Sequence, residues 1–304
     1  MNEKPSGHSC LAPLLALACA FTLALSFAAY AAEVNNGRVE YINPGKLHIA
    51  SGGYINHGDL TATFTEVGGT ALLVGSSGFD NHGIVNAIGF LGGGIGITGG
   101  GFTNYISGNV TASAHDTGTF GIYVYDGGFA NYGSVSGNGE NSGIGISVAS
   151  GGFANYRHAT VTATGITAGT GIHVENGGFT NNGTVFGNGG DGGIGIHVVS
   201  GGFTNHGNAI ASGDSSGGIG MRIENGGFDN SGLLTLLGSG TSISMVDISG
   251  NDMRLLPGSN LAFGDGHIDM GGTSTSLIVQ PGAKVFSLAA AAGGSDTKLR
   301  SKGF

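Results

Sequence analysis

The residues of this chain whose types and spacing suggest chemistry are three tyrosines, Tyr105, Tyr132 and Tyr156. Each follows, by one position, an asparagine in successive copies of a repeat. If the copies stack as neighbouring strands, the rings stand about 4.8 Å apart. Such a strip offers aromatic surface to sugar rings or to a partner protein. The plainer reading is that the tyrosines stack on one another at an exposed corner. A second candidate is the pair His173 and His197, which share one column with Arg222 next to them. A metal centre needs three or four ligands, and no carboxylate or cysteine joins that column. Solvated histidines are therefore expected, and no metal.

Two further patterns bear on calcium. GGDGGIGIH (189–197) carries its aspartate at the wrong place for a calcium-binding nonapeptide and does not recur. Asp265, His267 and Asp269 occur once and lack an EF-hand's ligand series. An enzyme acting on polysaccharide needs clustered carboxylates, often with Arg or Lys. Asp80 and Asp229 share a column six copies apart, Asp126, Glu175 and Glu224 are scattered at turns, and the chain has no Trp to line a sugar subsite. No catalytic residues and no cofactor are expected. A β-helical polysaccharide lyase or glycosidase is the alternative.

The element that must position any of these residues is the repeat itself. A glycine, an aromatic, any residue and an asparagine recur eight times, with the aromatic at Tyr54, Phe79, Phe102, Phe129, Phe153, Phe179, Phe203 and Phe228. The intervals are 25, 23, 27, 24, 26, 24 and 25 residues. That period indicates a solenoid, and it is too short for a four-stranded propeller blade. Seven positions before the aromatic stand Ile95, Ile122, Ile146, Ile172, Ile196 and Met221, and five before it Ile97, Val124, Val148, Val174, Val198 and Ile223. Apolar, β-branched residues two apart share one face of a strand. The glycine before each aromatic predicts a sharp corner. The aromatic and the asparagine two residues on then share a face.

This spacing predicts an inward aromatic stack. It also predicts an inward asparagine ladder of Asn56, Asn81, Asn104, Asn131, Asn155, Asn181, Asn205 and Asn230, passing amide hydrogen bonds from turn to turn. A glycine eight before the aromatic, from Gly94 to Gly220, reads as a bend at the strand's entry. The expected fold is all-β: a right-handed, single-stranded parallel β-helix of about ten turns of roughly 25 residues.

Residues 1–32 read as an export signal. An apolar run from Leu11 follows a short head with Lys4 and closes on the small-x-small pattern Ala29-Tyr30-Ala31. Both cysteines, Cys10 and Cys19, lie in it, so the exported chain has no disulfide framework. The repeats occupy 33–240, strand-like alternation continues through 241–288, and 289–304 reads as a flexible tail or a truncation point. Net charge is −9 and only 10% of residues are charged. An acidic chain without a basic stripe argues against nucleic-acid binding.

An export signal, a cysteine-free Gly/Asn-rich solenoid and phrases such as GGFANYGSV (127–135) and GGFTNNGTV (177–185) together resemble the passenger region of Gram-negative autotransporter proteins. The likeness covers about 33–288. It implies a pectin-lyase-like β-helix exposed at the cell surface, outer membrane or extracellularly, acting as an adhesin on a host glycan or surface protein. Members end in a transmembrane β-barrel. The residues after Gly240 leave no room for one, so outer-membrane association is expected only through a barrel elsewhere. There is also a partial likeness to chlamydial polymorphic outer-membrane proteins, but those space the motif FxxN where this chain has FxN.

Overall fold

The computed structural model describes residues 32–42, 47–67, 69–214, 217–238, 241–245, 252–264, 267–270, 276–287 and 299–301. The expected export segment, both cysteines, Asp265 and most of 289–304 lie outside the described residues. The rest is a parallel β-helix. Three sheets of eleven strands run along it, and each strand pairs with its counterparts one turn before and one turn after. The described residues contain no helix. Eight turns carry the repeat. One precedes them, beginning at Glu33–Asn35, and two follow, beginning at Met253–Leu255 and Leu277–Val279. Among the described residues this arrangement agrees with the expected coil of about ten turns of roughly 25 residues.

The first sheet is made of three-residue strands such as Phe129–Asn131 and Phe153–Asn155, paired Phe to Phe and Asn to Asn. Their burial alternates in, out, in, as a strand with one dry face must. The phenylalanines form one continuous pile. Ring centroids are 4.5 Å apart from Phe129 to Phe153 and again from Phe153 to Phe179, alternating between edge-on and stacked contacts. Burying each ring contributes about 1.5–3 kcal/mol.

Beside the rings run the asparagines, all fully buried. Each Nδ2–H donates to the Oδ1 of the next, at 2.8 Å from Asn56 to Asn81 and 3.0 Å from Asn131 to Asn155. The other amide proton goes to a backbone carbonyl, as from Asn131 to Gly133. The ladder has a ninth member, Asn35, whose Nδ2–H donates to Asn56 Oδ1 at 2.7 Å.

The corner before seven of the eight aromatics is a glycine pair in the left-handed region, as at Gly127 (φ 92°) and Gly128 (φ 78°); before Phe79 it is Ser77 and Gly78 (φ 84°). Only glycine enters that region freely, and a Cβ at Gly128 would sit 2.6 Å from the Gly151 carbonyl oxygen. The two longest intervals are absorbed at the opposite corner. Tight turns close there, with Gly108 N–H donating to Tyr105 O and Ala159 N–H to Tyr156 O. Val110 and Val161 consequently stay in register with Val85, Val135 and Val185 in the second sheet.

The glycines of the third sheet do more than bend the chain. In strands such as Thr170–Val174 the Gly and the Ile after it are both buried, so alternation breaks at the Gly. A Cβ on Gly171 would meet Asn188 N at 2.5 Å, on the facing second sheet. The column is glycine because two backbones press together there, inside the prism.

Candidate functional site

With the inward columns committed to packing, chemistry is left to the outward ones. Tyr105, Tyr132 and Tyr156 stand on one corner, just past the first sheet. Tyr132 and Tyr156 stack with centroids 3.9 Å apart and planes within 10°. Tyr105 and Tyr132 are 6.3 Å apart. The pile continues upward through His82, 3.9 Å from Tyr105, to His57. It is thus a five-ring column whose faces are largely occupied by one another. What it shows to solvent is ring edges and hydroxyls. A hydrogen bond with Tyr156, and then burial, push the Tyr132 phenol above its usual range.

Next to this column, on the outward face of the first sheet, lies a shallow groove of about 280 Å³. Its floor is Thr103, Ala130, Ala154 and Thr180, its far wall is the backbone of the paired glycines, and Tyr156 borders it. Asp80 continues the floor column at one end and Asp229 at the other. Sequence reasoning missed this groove; the small residue in the phrase Phe-Ala-Asn could have marked it, but it acquires meaning only once two such phrases stack.

His173 and His197 are half-buried and joined rather than separately solvated. Their Nδ1 atoms are 3.2 Å apart, and His197 Nε2 lies 2.9 Å from Glu224 Oε1. The carboxylate accepts the Nε2 proton, which leaves His197 Nδ1 to accept from His173. Glu224 comes from the next turn, one column over, so the sequence column alone missed it. Arg222 Nε sits 3.1 Å from the same carboxylate oxygen, although not in line for a hydrogen bond. Burial is the main cause that lowers both histidine pKa values. For His173 the neighbouring His197 lowers it further, and for His197 Glu224 acts the other way. Among the described residues no group of three or more His, Cys, Asp or Glu side chains is placed to share a metal ion.

Asp126 and Glu175 line one surface hollow of about 340 Å³ with Tyr125 and Asn176. They come from alternate turns, so their strands are separated by about 10 Å, twice the strand spacing. Both are exposed, and no Arg or Lys lines the hollow with them. Asp80 and Asp229 remain on separate turns, and Asp229 is clamped by Arg254 through two hydrogen bonds.

No family model, no curated protein and no solved structure matches the chain. The parallel β-helix agrees with the fold implied by the resemblance to pectin-lyase-like solenoids. Nothing beyond the fold comes from that agreement.

Proposed function

We propose that this chain is an exported, surface-exposed β-helical rod that serves as a structural or adhesive passenger, with no catalysis of its own. The observation that supports this reading is the division of its columns. Aromatic, asparagine and aliphatic columns are spent on the core. The lateral surface is a set of regular, mostly uncharged columns in which Thr, Ser, Asn and Tyr alternate with exposed apolar side chains such as Ile84, Ile106 and Phe186. Regular, mostly uncharged columns suit broad, repeated contact better than a single converging reaction centre. In this reading the tyrosine column and the groove beside it are the contact surface for a host glycan or surface protein.

The purified chain, applied to cell monolayers, should bind measurably. The double variant Tyr132→Ser and Tyr156→Ser should bind several-fold less while keeping its circular dichroism spectrum. Absence of binding by the unaltered chain would remove the adhesive part of the proposal.

A polysaccharide hydrolase is the second reading, and the hollow holding Asp126 and Glu175 is what favours it. Their strands, two turns apart, are about 10 Å from each other, close to the widest carboxylate spacing of inverting glycosidases, about 9.5 Å. Release of reducing ends from a polysaccharide panel, abolished by Asp126→Asn or Glu175→Gln, would support this second reading over the first.

A further inference from the structure

The outward column of the third sheet runs Leu73, Gly96, Tyr123, Ser147, His173 and His197. One position in it has no side chain. Most strand glycines of this protein are held by backbone that would collide with a Cβ. Gly96 differs: a Cβ there would meet Leu73 Cδ1 at 3.2 Å and Thr70 Cγ2 at 3.4 Å, the mobile ends of two side chains. Packing therefore does not demand glycine at this place. What glycine does is leave a hollow of about 290 Å³ between its neighbours.

Leu73, Phe120 and Tyr123 wall this hollow, and Thr70, Thr98 and Thr119 supply hydroxyls around it. Phe120 and Tyr123 lean together with centroids 4.9 Å apart. Thr119 donates its proton to the Asp116 carbonyl at 2.6 Å, and Thr98 to the Val74 carbonyl. Both oxygens keep lone pairs to accept from a guest. No charged side chain lines the space.

The volume lies at the lower bound of small-molecule sites, about 300 Å³, so it accommodates one ring and not a chain. A neutral guest with an apolar face for Phe120 and Tyr123 and hydroxyl donors for the threonines meets every wall. An all-apolar guest would waste the threonines, and an ion would find no counter-charge.

We infer that the hollow over Gly96 is a binding subsite for a single neutral pyranose residue, such as the terminal sugar of a glycan. The inference rests on the adhesive reading and gives it a ligand class, on a different face from the tyrosine column.

The test is saturation-transfer NMR on the full chain with the methyl glycosides of galactose, glucose, N-acetylglucosamine and fucose. At least one should bind in the millimolar range, with transfer strongest at one ring face. Gly96→Leu fills the hollow and should weaken that binding by at least about tenfold, with an unchanged melting temperature. Tyr123→Ala, which removes a wall without filling the space, should weaken it as well. The proposal is overturned if no glycoside binds, if Gly96→Leu binds as well as the unaltered chain, or if only an apolar probe such as indole binds. Cell adhesion of the unaltered chain, measured alongside, tests the adhesive reading separately. Adhesion without glycoside binding sinks the subsite alone, and glycoside binding without adhesion sinks the adhesive reading alone.

Discussion

Two stretches of the first sheet occupy the same inward slots with different chemistry. From Tyr54 to Asn230 every turn inserts an aromatic and an asparagine. In the next turn Met253 and Leu255 take those places, in register with Phe228 and Asn230 and equally buried. The first sheet keeps its register across the switch. An inward slot is therefore defined by volume and dryness, and an amide in it is tolerated as a member of a set. A buried amide between two others has its donor and acceptor met. One between two leucines would lose both. At its ends the ladder closes on local backbone. Asn35 Oδ1 accepts from Gly37 N–H at 3.0 Å, and Asn230 Nδ2–H donates to Gly232 O at 3.2 Å.

The largest effect should come from the ring pile. Phe179→Ala removes a fully buried ring between Phe153 and Phe203 and should cost about 3–5 kcal/mol in urea unfolding. A loss below about half a kilocalorie, within the range of ordinary surface changes, would mean the pile does not carry the fold. Met253→Ala, in the apolar stretch, should fall in the range of about 2–5 kcal/mol and give a smaller loss than Phe179→Ala.

The ladder comes next. Asn181→Ala takes one acceptor from Asn155 Nδ2, which keeps its backbone carbonyls, and the donor from Asn205 Oδ1, and should cost about 1–3 kcal/mol. Asn181→Leu and Asn230→Leu sharpen the contrast. The second extends the leucine stretch by one turn and costs only Asn205 an acceptor, so its urea midpoint should fall less. Equal losses would show that the boundary with Leu255 has no influence.

A smaller, pH-dependent effect belongs to the outward columns. His173 and His197 are held below the ordinary histidine value of 6.5, first by burial. The unfolded chain therefore takes up protons at a higher pH than the folded one. Stability is full above pH 6.5 and declines as pH falls from there through the folded values. Replacing both histidines with serine should flatten the melting temperature between pH 7 and 5, whereas the unaltered chain loses stability over the same window. A persisting slope would assign the effect elsewhere.

The smallest effect is expected at the exposed clamp of Arg254 on Asp229. Arg254→Ala should leave the thermal midpoint unchanged within error, as is usual for solvent-exposed pairs. A clear drop would indicate that this clamp helps to hold the boundary between the two stretches.

Much of the fold was legible because the repeat states it eight times. The aromatic, the asparagine and the two aliphatic positions keep their spacing within each copy, and identical neighbours then meet by stacking. Asn35 was hidden because its turn carries Glu33 where the others carry an aromatic. The third-sheet glycines read as a bend, whereas they also mark two sheets in contact. That meeting occurs between segments about seventeen residues apart, as with Gly171 and Asn188, and no local pattern specifies it. The pairing of Glu224 with His197 is hidden for a similar reason: the carboxylate, which reads as one of several scattered at turns, comes from a neighbouring column of the next turn.

The amino-acid order by itself determined the coil length, the inward columns and the corners, since these follow from side-chain period and glycine's backbone freedom. The tertiary structure alone decided what lies between columns: which rings meet face to face and which edge-on, the hydrogen bond between His173 and His197, and the hollows beside Tyr156 and over Gly96. Those depend on the angle at which one sheet meets the next and on which side chain is missing from a neighbour. These are properties of the closed prism and not of any single turn.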